Sequence, residues 1–330
     1  MVNWLRRVSG ILSHETKPTP RPSEMPPAPA ATDAEAAAQL PDPDTEVFDW
    51  LLEFAPDAPS AGDTIESHWL TEVDLLIATD KGRGELLPRA AGLIPQLLNT
   101  LRDDNYSSTD LAERMGRDAN LVAELMRLAN STAFRRREPV TDLADAVRRV
   151  GTGGVRQAIA KVVLKPMFDA QAGTLSGRAA PHLWQHSQAQ ADLCRAIAVS
   201  REMDPFEAYL GGLLGNIGWT AGLRALERVM EQHPAPAGTG FSDAFKQGFR
   251  LRRDRLFVQF VTGWRLNPAL HEAARDVQFT GSFELANDPL AQVLLAGERL
   301  AGWRALGHTE ADPLLTGWPD NVRRVYGELR

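Results

Sequence analysis

Apolar residues along this chain recur with the period of an amphipathic helix from about residue 46 onward. The stretch SHWLTEVDLLIATD puts Trp69, Val73, Leu76 and Ile77 on one stripe, and RDANLVAELMRLANS does the same with Leu121, Leu125, Leu128 and Ala129. Asp118 is placed to cap the second of these, and Ser107 with Asp110 three positions on has capping-box spacing. The pattern predicts further helices over 144–150, 155–164, 183–200, 205–214, 242–264, 268–276 and 289–306, the last opened by Asp288 and Pro289 as N-cap and first helical residue. No stretch shows the period of two that marks a half-buried strand. The predicted class is all-α, built of short helices with short loops and no internal repeat of fixed period. Between two of the helices lies VGTGGVRQ, which has the glycines of a phosphate loop. No strand precedes it and no Lys-Ser or Lys-Thr follows Gly154, so it reads as a helix-to-helix turn in which glycine supplies a positive φ.

The beginning of the chain departs from this pattern. Residues 18–43 hold eight of the 22 prolines among Ala, Asp, Glu and Thr, too little apolar surface to offset chain entropy, so a disordered linker is expected. Ahead of it Val2, Trp4, Leu5, Val8, Ile11 and Leu12 share one side of a short helical wheel, with Arg6 and Arg7 off that face. A helix of that length is marginal alone, which makes a frayed terminus the default reading and a docking helix the alternative.

Composition narrows the function classes. The 36 basic and 43 acidic residues give a net charge of -7, which argues against a protein built to grip phosphate backbones. With 43% hydrophobic residues and a mean hydropathy of -0.27 the chain has the make-up of a globular protein, and it shows no apolar run of membrane-spanning length. The single cysteine, Cys194, excludes an internal disulfide and a thiolate metal cluster. The opening MVNWLRRVSGIL lacks the apolar core and cleavage site of a signal peptide, so a cytoplasmic location is expected.

Three stretches carry candidate chemistry. His182 and His186 in PHLWQHS are four apart and share a helix face, but two imidazoles without nearby carboxylates are half a metal site, and packing or capping is the plainer role. The run FKQGFRLRRDR gathers Lys246, Arg250, Arg252, Arg253 and Arg255. Phe241, Phe245, Phe249 and Leu256 at helical spacing point to a core, and the basic residues read as a solvated face paired with Asp243 and Asp254 rather than as a nucleic-acid surface. Finally, NSTAFRRREPV leaves a helix through a polar turn with Phe134 beside Arg135, Arg136 and Arg137. Arginine with an aromatic is the composition of a binding hot spot, and three arginines in a row equally suit a solvated loop.

Taken in order, LLPRAAGLIPQLLNTLRDDNYSSTDLAERMGRDANLVAELMRLANSTAF, VTDLADAVRRVGTGGVRQAI, LWQHSQAQADLCRAIA, EAYLGGLLGNIGWTAGL and TGWRLNPALHEAA resemble the HDOD family, a branch of the HD-domain superfamily found in bacterial signalling proteins. The resemblance spans roughly Leu86 to Phe283. Its most telling parts are Asn130-Ser131, Ala146 to Gly151, Trp184 with His186-Ser187, and Gly211 to Gly218. It implies an HD-like multi-helix bundle with an additional helical subdomain. The expected layout is a tail over 1–45, a helical lead-in over 46–85, the HDOD-like domain over 86–285 and a helical extension over 286–330.

The resemblance also implies what the site has lost. His186 matches the first histidine of the superfamily's metal site, while Gly215 and Asn216 stand where its His-Asp doublet belongs. Glycine has no donor, and the neutral asparagine amide lacks the charge a hard divalent ion prefers. Even with Asp276, the nearest later carboxylate, two protein ligands result, whereas catalytic zinc sites keep three. Trp184, His186, Gly215 and Asn216 are therefore expected to bound a vestigial pocket with no metal or cofactor, and the chain is expected not to be an enzyme. Gly211, Gly212, Gly215 and Gly218 keep the small residues of a close helix crossing, with Leu213, Leu214 and Ile217 as core. The expected function is a non-catalytic signal-transduction module acting on a protein partner, with a nucleotide messenger as a second class of ligand. The alternatives are a metal-dependent phosphohydrolase acting on a nucleotide or cyclic dinucleotide, and a nucleic-acid-binding regulator using Arg250 to Arg255.

Overall fold

The computed structural model describes residues 41–55, 58–101, 119–131, 134, 138–234, 238–309 and 312–329, with the backbone alone over 96–101. The short helix around Trp4, most of the proline-rich linker, the Ser107 capping box, the Asp118 cap and Arg135 to Arg137 lie outside the described residues. Helices follow one another as α1 (Asp44–Leu52), α2 (Asp63–Ile77), α3 (Asp80–Leu86), α4 (Ala90–Leu101), α5 (Ala119–Ala129), α6 (Leu143–Leu164) and α7 (Leu175–Ser200). They continue as α8 (Pro205–Leu214), α9 (Ile217–Gln232), α10 (Asp243–Trp264), α11 (Pro268–Thr280), α12 (Pro289–Ala305) and α13 (Asp320–Glu328). Among the described residues the only β feature is a single bridge between Ser60 and Gly240. The all-α expectation holds.

Local chemistry sets the starts. Asp142, Thr174, Asp204, Ser242, Asn267 and Asp288 each accept a backbone N–H of the turn they precede, and Pro205, Pro268 and Pro289 occupy first helical positions. The helix expected from residue 183 begins at Leu175, because Thr174 caps it and it runs through Pro181. The two helices expected on either side of VGTGGVRQ are one element kinked at Gly151, whose φ of 68° supplies the turn. Helix α9 was hidden from the periodicity by Gly218 and Gly222, and α11 reaches Thr280 before Gly281 ends it in the left-handed region.

Helix α7 is the axis of the body, with α1, α8, α9, α12 and α13 packed around it. Small residues let the helices touch. A Cβ at Gly212 would lie 2.8 Å from the Ala191 Cα, and one at Gly297 would lie 2.3 Å from the Cys194 sulfur. A second layer forms where α9 meets α10. Phe241, Phe245 and Phe249 stack in a column against Phe48, Trp69 and Trp219, so the aromatic residues of the basic run do face a core. Helix α5 packs on α6, and α6 packs on α8, which leaves a cleft between α5 and α7.

The body begins earlier than residue 46. Pro43 is buried against Gly302, the Trp303 indole donates to the Pro41 carbonyl at 3.1 Å, and Asp42 and Asp44 pair with arginines of α10. Proline and aspartate counted as linker by composition are held here by charge and shape. A chain starting at Glu46 should therefore melt well below one starting at Pro41. At about 3 kcal/mol for leaving a buried charge short of a partner, the fall is roughly 10 °C. Calorimetry on the two truncations measures it, and equal melting temperatures would refute the assignment. A Cβ at Gly218 would sit 2.2 Å from the backbone oxygen of residue 253, so Gly218→Ala should force α9 and α10 apart and cost about 1–3 kcal/mol in a denaturant titration.

Candidate functional site

Helix α7 brings His186 and Ser187 against the turn between α8 and α9, where Gly215 and Asn216 sit. The Asn216 amide nitrogen donates to His186 Nδ1 at 2.9 Å and to Ser187 Oγ at 3.0 Å, all three side chains being buried. With Nδ1 accepting, the imidazole carries its proton on Nε2, which makes no hydrogen bond. Burial and the nearby Arg253 guanidinium push the His186 pKa down to about 4, so the ring is neutral. A side chain at position 215 would have to displace that of Gln190. A Cβ there would meet the Gln190 amide at 2.3 Å, and that amide already donates to the Leu294 carbonyl at 3.3 Å. The hollow beside Gly215 and Gln190 measures about 10 Å³, the space of one water.

Helix α10 supplies the charge beside this group. The Arg253 guanidinium, 3% exposed, contacts Asp44 at 3.3 Å, Asp254 at 2.8 Å and Glu298 at 2.9 Å, and lies 5.2 Å from the Trp219 ring centre. Arg250 pairs with Asp42, Glu284 and, at 2.7 Å, Asp44. Three inner carboxylates thus face two guanidiniums. Burial opposes ionisation of all three. At Asp44 the arginines outweigh it and the pKa falls below the usual carboxylate range; at Asp254 it rises, and at Glu298 it reaches about 8. One proton is therefore retained, chiefly on Glu298.

The expected site residues separate. His186, Gly215 and Asn216 come together, but Trp184, two positions from His186 and so about 200° round the helix, faces the cleft and packs on Phe168 at 5.3 Å. Asp276 does not join them; its carboxylate accepts the backbone N–H of Asn287 and Asp288 and fixes the approach to α12. His182 turns instead to Glu53 at 3.1 Å and to the Trp50 ring. Phe134 is half-buried against the core, and Asn130 closes its loop by two hydrogen bonds to the Val140 backbone, its amide nitrogen donating to the carbonyl at 3.0 Å and its amide oxygen accepting from the N–H at 2.8 Å. The solvated reading of the basic run needs correction. Lys246 and Arg253 are buried, and Arg250 and Arg252 are half-buried, because their partners are carboxylates of other helices, Asp49, Asp44, Glu298 and Asp74, as well as the neighbours Asp243 and Asp254. The sequence reading missed Asp44, Gln190 and Glu298. Gln190, four positions after His186, carried a periodic signal; the other two did not.

These shifts fix a pH dependence. Glu298 holds a proton in the folded chain up to about pH 8, while the unfolded chain releases it near the ordinary value of 4.5, so its contribution is lost as pH rises through that window. His186 acts oppositely, its contribution being lost as pH falls from 6.5 towards 4. Of these two, the Glu298 effect alone remains above pH 6.5, at most about 1.4 kcal/mol per pH unit. The melting temperature should decline between pH 6.5 and 8, and Glu298→Gln, which mimics the protonated carboxyl, should flatten that decline. An unchanged slope in the variant would contradict the assignment.

Against this geometry, a model of the HDOD domain matches residues 87–278, more than half of the chain. Among solved structures the chain is similar to a protein from Shewanella amazonensis SB2B named "Putative metal-dependent phosphohydrolase", with a TM-score of 0.56 and 16% identity over 81% of this chain and 98% of that one. It is also similar to an HDOD domain protein with unknown function from Geobacter sulfurreducens, at a TM-score of 0.49 and 20% identity over 80% of this chain and 87% of that one. The first likeness shows a shared fold. No curated protein matches. The match takes in the ordered motifs from Asn130-Ser131 to the Gly211–Gly218 turn, and this chain belongs to the HDOD family.

Proposed function

We propose that this HDOD chain is a non-catalytic signal-transduction module that works by binding a protein partner. The observation that supports this reading most is the pairing of Asn216 with His186. A metal needs an imidazole lone pair; here the Nδ1 lone pair is taken up by an amide N–H, and Nε2 carries the proton. The residues present do not fit a divalent ion. Gly215 cannot carry a ligand without displacing Gln190, and the carboxylates nearest to His186 surround a guanidinium that already supplies the positive charge. A hydrolytic step would also need room for water and a phosphate ester, and the hollow beside Gly215 holds about 10 Å³. The nucleic-acid reading loses its support for a similar reason, since Arg250, Arg252 and Arg253 are engaged with carboxylates of the same chain.

The test is metal content together with turnover. Purified protein, loaded with Mn²⁺, Fe²⁺ or Zn²⁺ and then desalted, should retain far less than one equivalent and should leave cyclic dinucleotides and bis(p-nitrophenyl) phosphate intact. Asn216→Asp should remain inactive, because Gly215 still withholds a ligand. Stoichiometric metal that is lost on His186→Ala, or turnover by either protein, would overturn the reading.

A further inference from the structure

The cleft between α5 and α7 has a different electrostatic character from the closed centre. Its first hollow, about 590 Å³, is floored by Lys161 and Glu124 and walled by Arg127, Lys165, Trp184 and Gln188. Glu124 sits between Arg127 at 2.5 Å and Lys161 at 3.1 Å, so one carboxylate serves two cations, and the Lys161 side chain is only 11% exposed. Asp169 at the rim is taken by Arg89 at 2.6 Å. Lys165 is exposed and has no ion pair among the described residues. With Arg89 at the rim, four cations meet Glu124 and Asp169 here, and Asp192, acting on Arg127 and Lys161 from beside the hollow, leaves an excess of one positive charge on a chain whose net charge is -7. Burial and, less strongly, Arg127 lower the Lys161 pKa against the pull of Glu124 and Asp192.

The cleft does not end there. Past Arg127 and Gln188, which line both parts, it opens into a second hollow of about 1060 Å³ walled by Met126, Ala189, Asp192 and Leu329. Burial raises the Asp192 pKa, and Glu328 lines this end as well, so the place for a ligand's acid is the Lys161–Lys165 end and not this one. Together the hollows exceed the roughly 300–1,000 Å³ of a small-molecule site. From Trp184 to Asp192 the α7 wall runs eight residues, about 12 Å at 1.5 Å each, which an extended peptide spans with about four residues.

We propose that this cleft is the docking groove for an extended acidic peptide segment of a protein partner, with its carboxylate at Lys161 and Lys165 and an apolar side chain about four residues away against Met126, Ala189 and Leu329. The half-buried Trp184 ring supplies an apolar wall beside the carboxylate. The proposal rests on the protein-binding reading above and names the chemistry of the partner.

A random library of displayed linear peptides, selected on the full-length protein, tests it. Enriched peptides should carry Asp or Glu with Leu, Ile, Met or Phe about four positions away. Fluorescence anisotropy of the labelled peptides should show affinity falling about tenfold on Lys165→Glu, with an unchanged melting temperature because Lys165 is exposed. Replacing the peptide's acid by Lys should restore binding to that variant. No enrichment, enriched peptides without an acid, or equal affinity for the wild type and Lys165→Glu would each overturn the proposal. Retained metal or turnover would sink the non-catalytic reading by a separate measurement and leave the peptide data standing.

Discussion

The burial of Arg253 is the constraint around which the body is arranged. A guanidinium removed from water must be surrounded by acceptors, and no one helix supplies enough of them. Asp44 comes from α1, Asp254 from α10 itself and Glu298 from α12, while α9 contributes the Trp219 face below the charge. Four helices are thereby fixed relative to one side chain. The backbone oxygen of the same residue is what position 218 must avoid, so the glycine in α9 and the arginine in α10 are two halves of one crossing. Such a cluster need not be more stable than an apolar replacement of the same volume, but removal of any single member leaves a charge unpaired.

The neutrality of His186 follows from that neighbour. An imidazolium beside a buried guanidinium would add a second cation to a dry site, so the ring stays uncharged and takes Asn216 as its partner. Aspartate at 216 would offer His186 a charge, yet Gly215 and Gln190 would still occupy the ground of a second ligand. The turn that the HD-superfamily resemblance associates with metal ligands is packed closely on both sides, with Gly212 against Ala191 and Gly218 against α10.

What the sequence revealed and what it hid divide along the range of the interaction. Amphipathic stripes and caps act within a few residues, and the stripe at Trp69, Val73 and Ile77 and the Asp288-Pro289 start appear as read. The ion pairs of Asp44 and Asp42 link residues more than 200 apart, and a carboxylate among prolines has no local mark of burial. The basic run misled for a related reason. Aromatic residues at 241, 245 and 249 and cations at 246, 250 and 253 form adjacent stripes, which on a surface helix means one face in and one face out. Helix α10 lies between α9, α11, α1 and α2, and both stripes are covered. The Trp184–His186 pair, by contrast, was decidable beforehand, since side chains two apart on a helix point nearly opposite ways.

The two polar regions of the molecule differ in whether their charges are answered from within. At the centre each guanidinium has carboxylates, the surplus carboxylate holds a proton, and Asn216 occupies the Nδ1 side of His186; a ligand entering among these charges would have to break existing bonds before making its own. In the α5–α7 cleft Glu124 is divided between two cations and Lys165 stands without an ion pair among the described residues, so an anion arriving there makes contacts without first undoing any. Binding free energy is a difference between those two costs, and it favours the cleft.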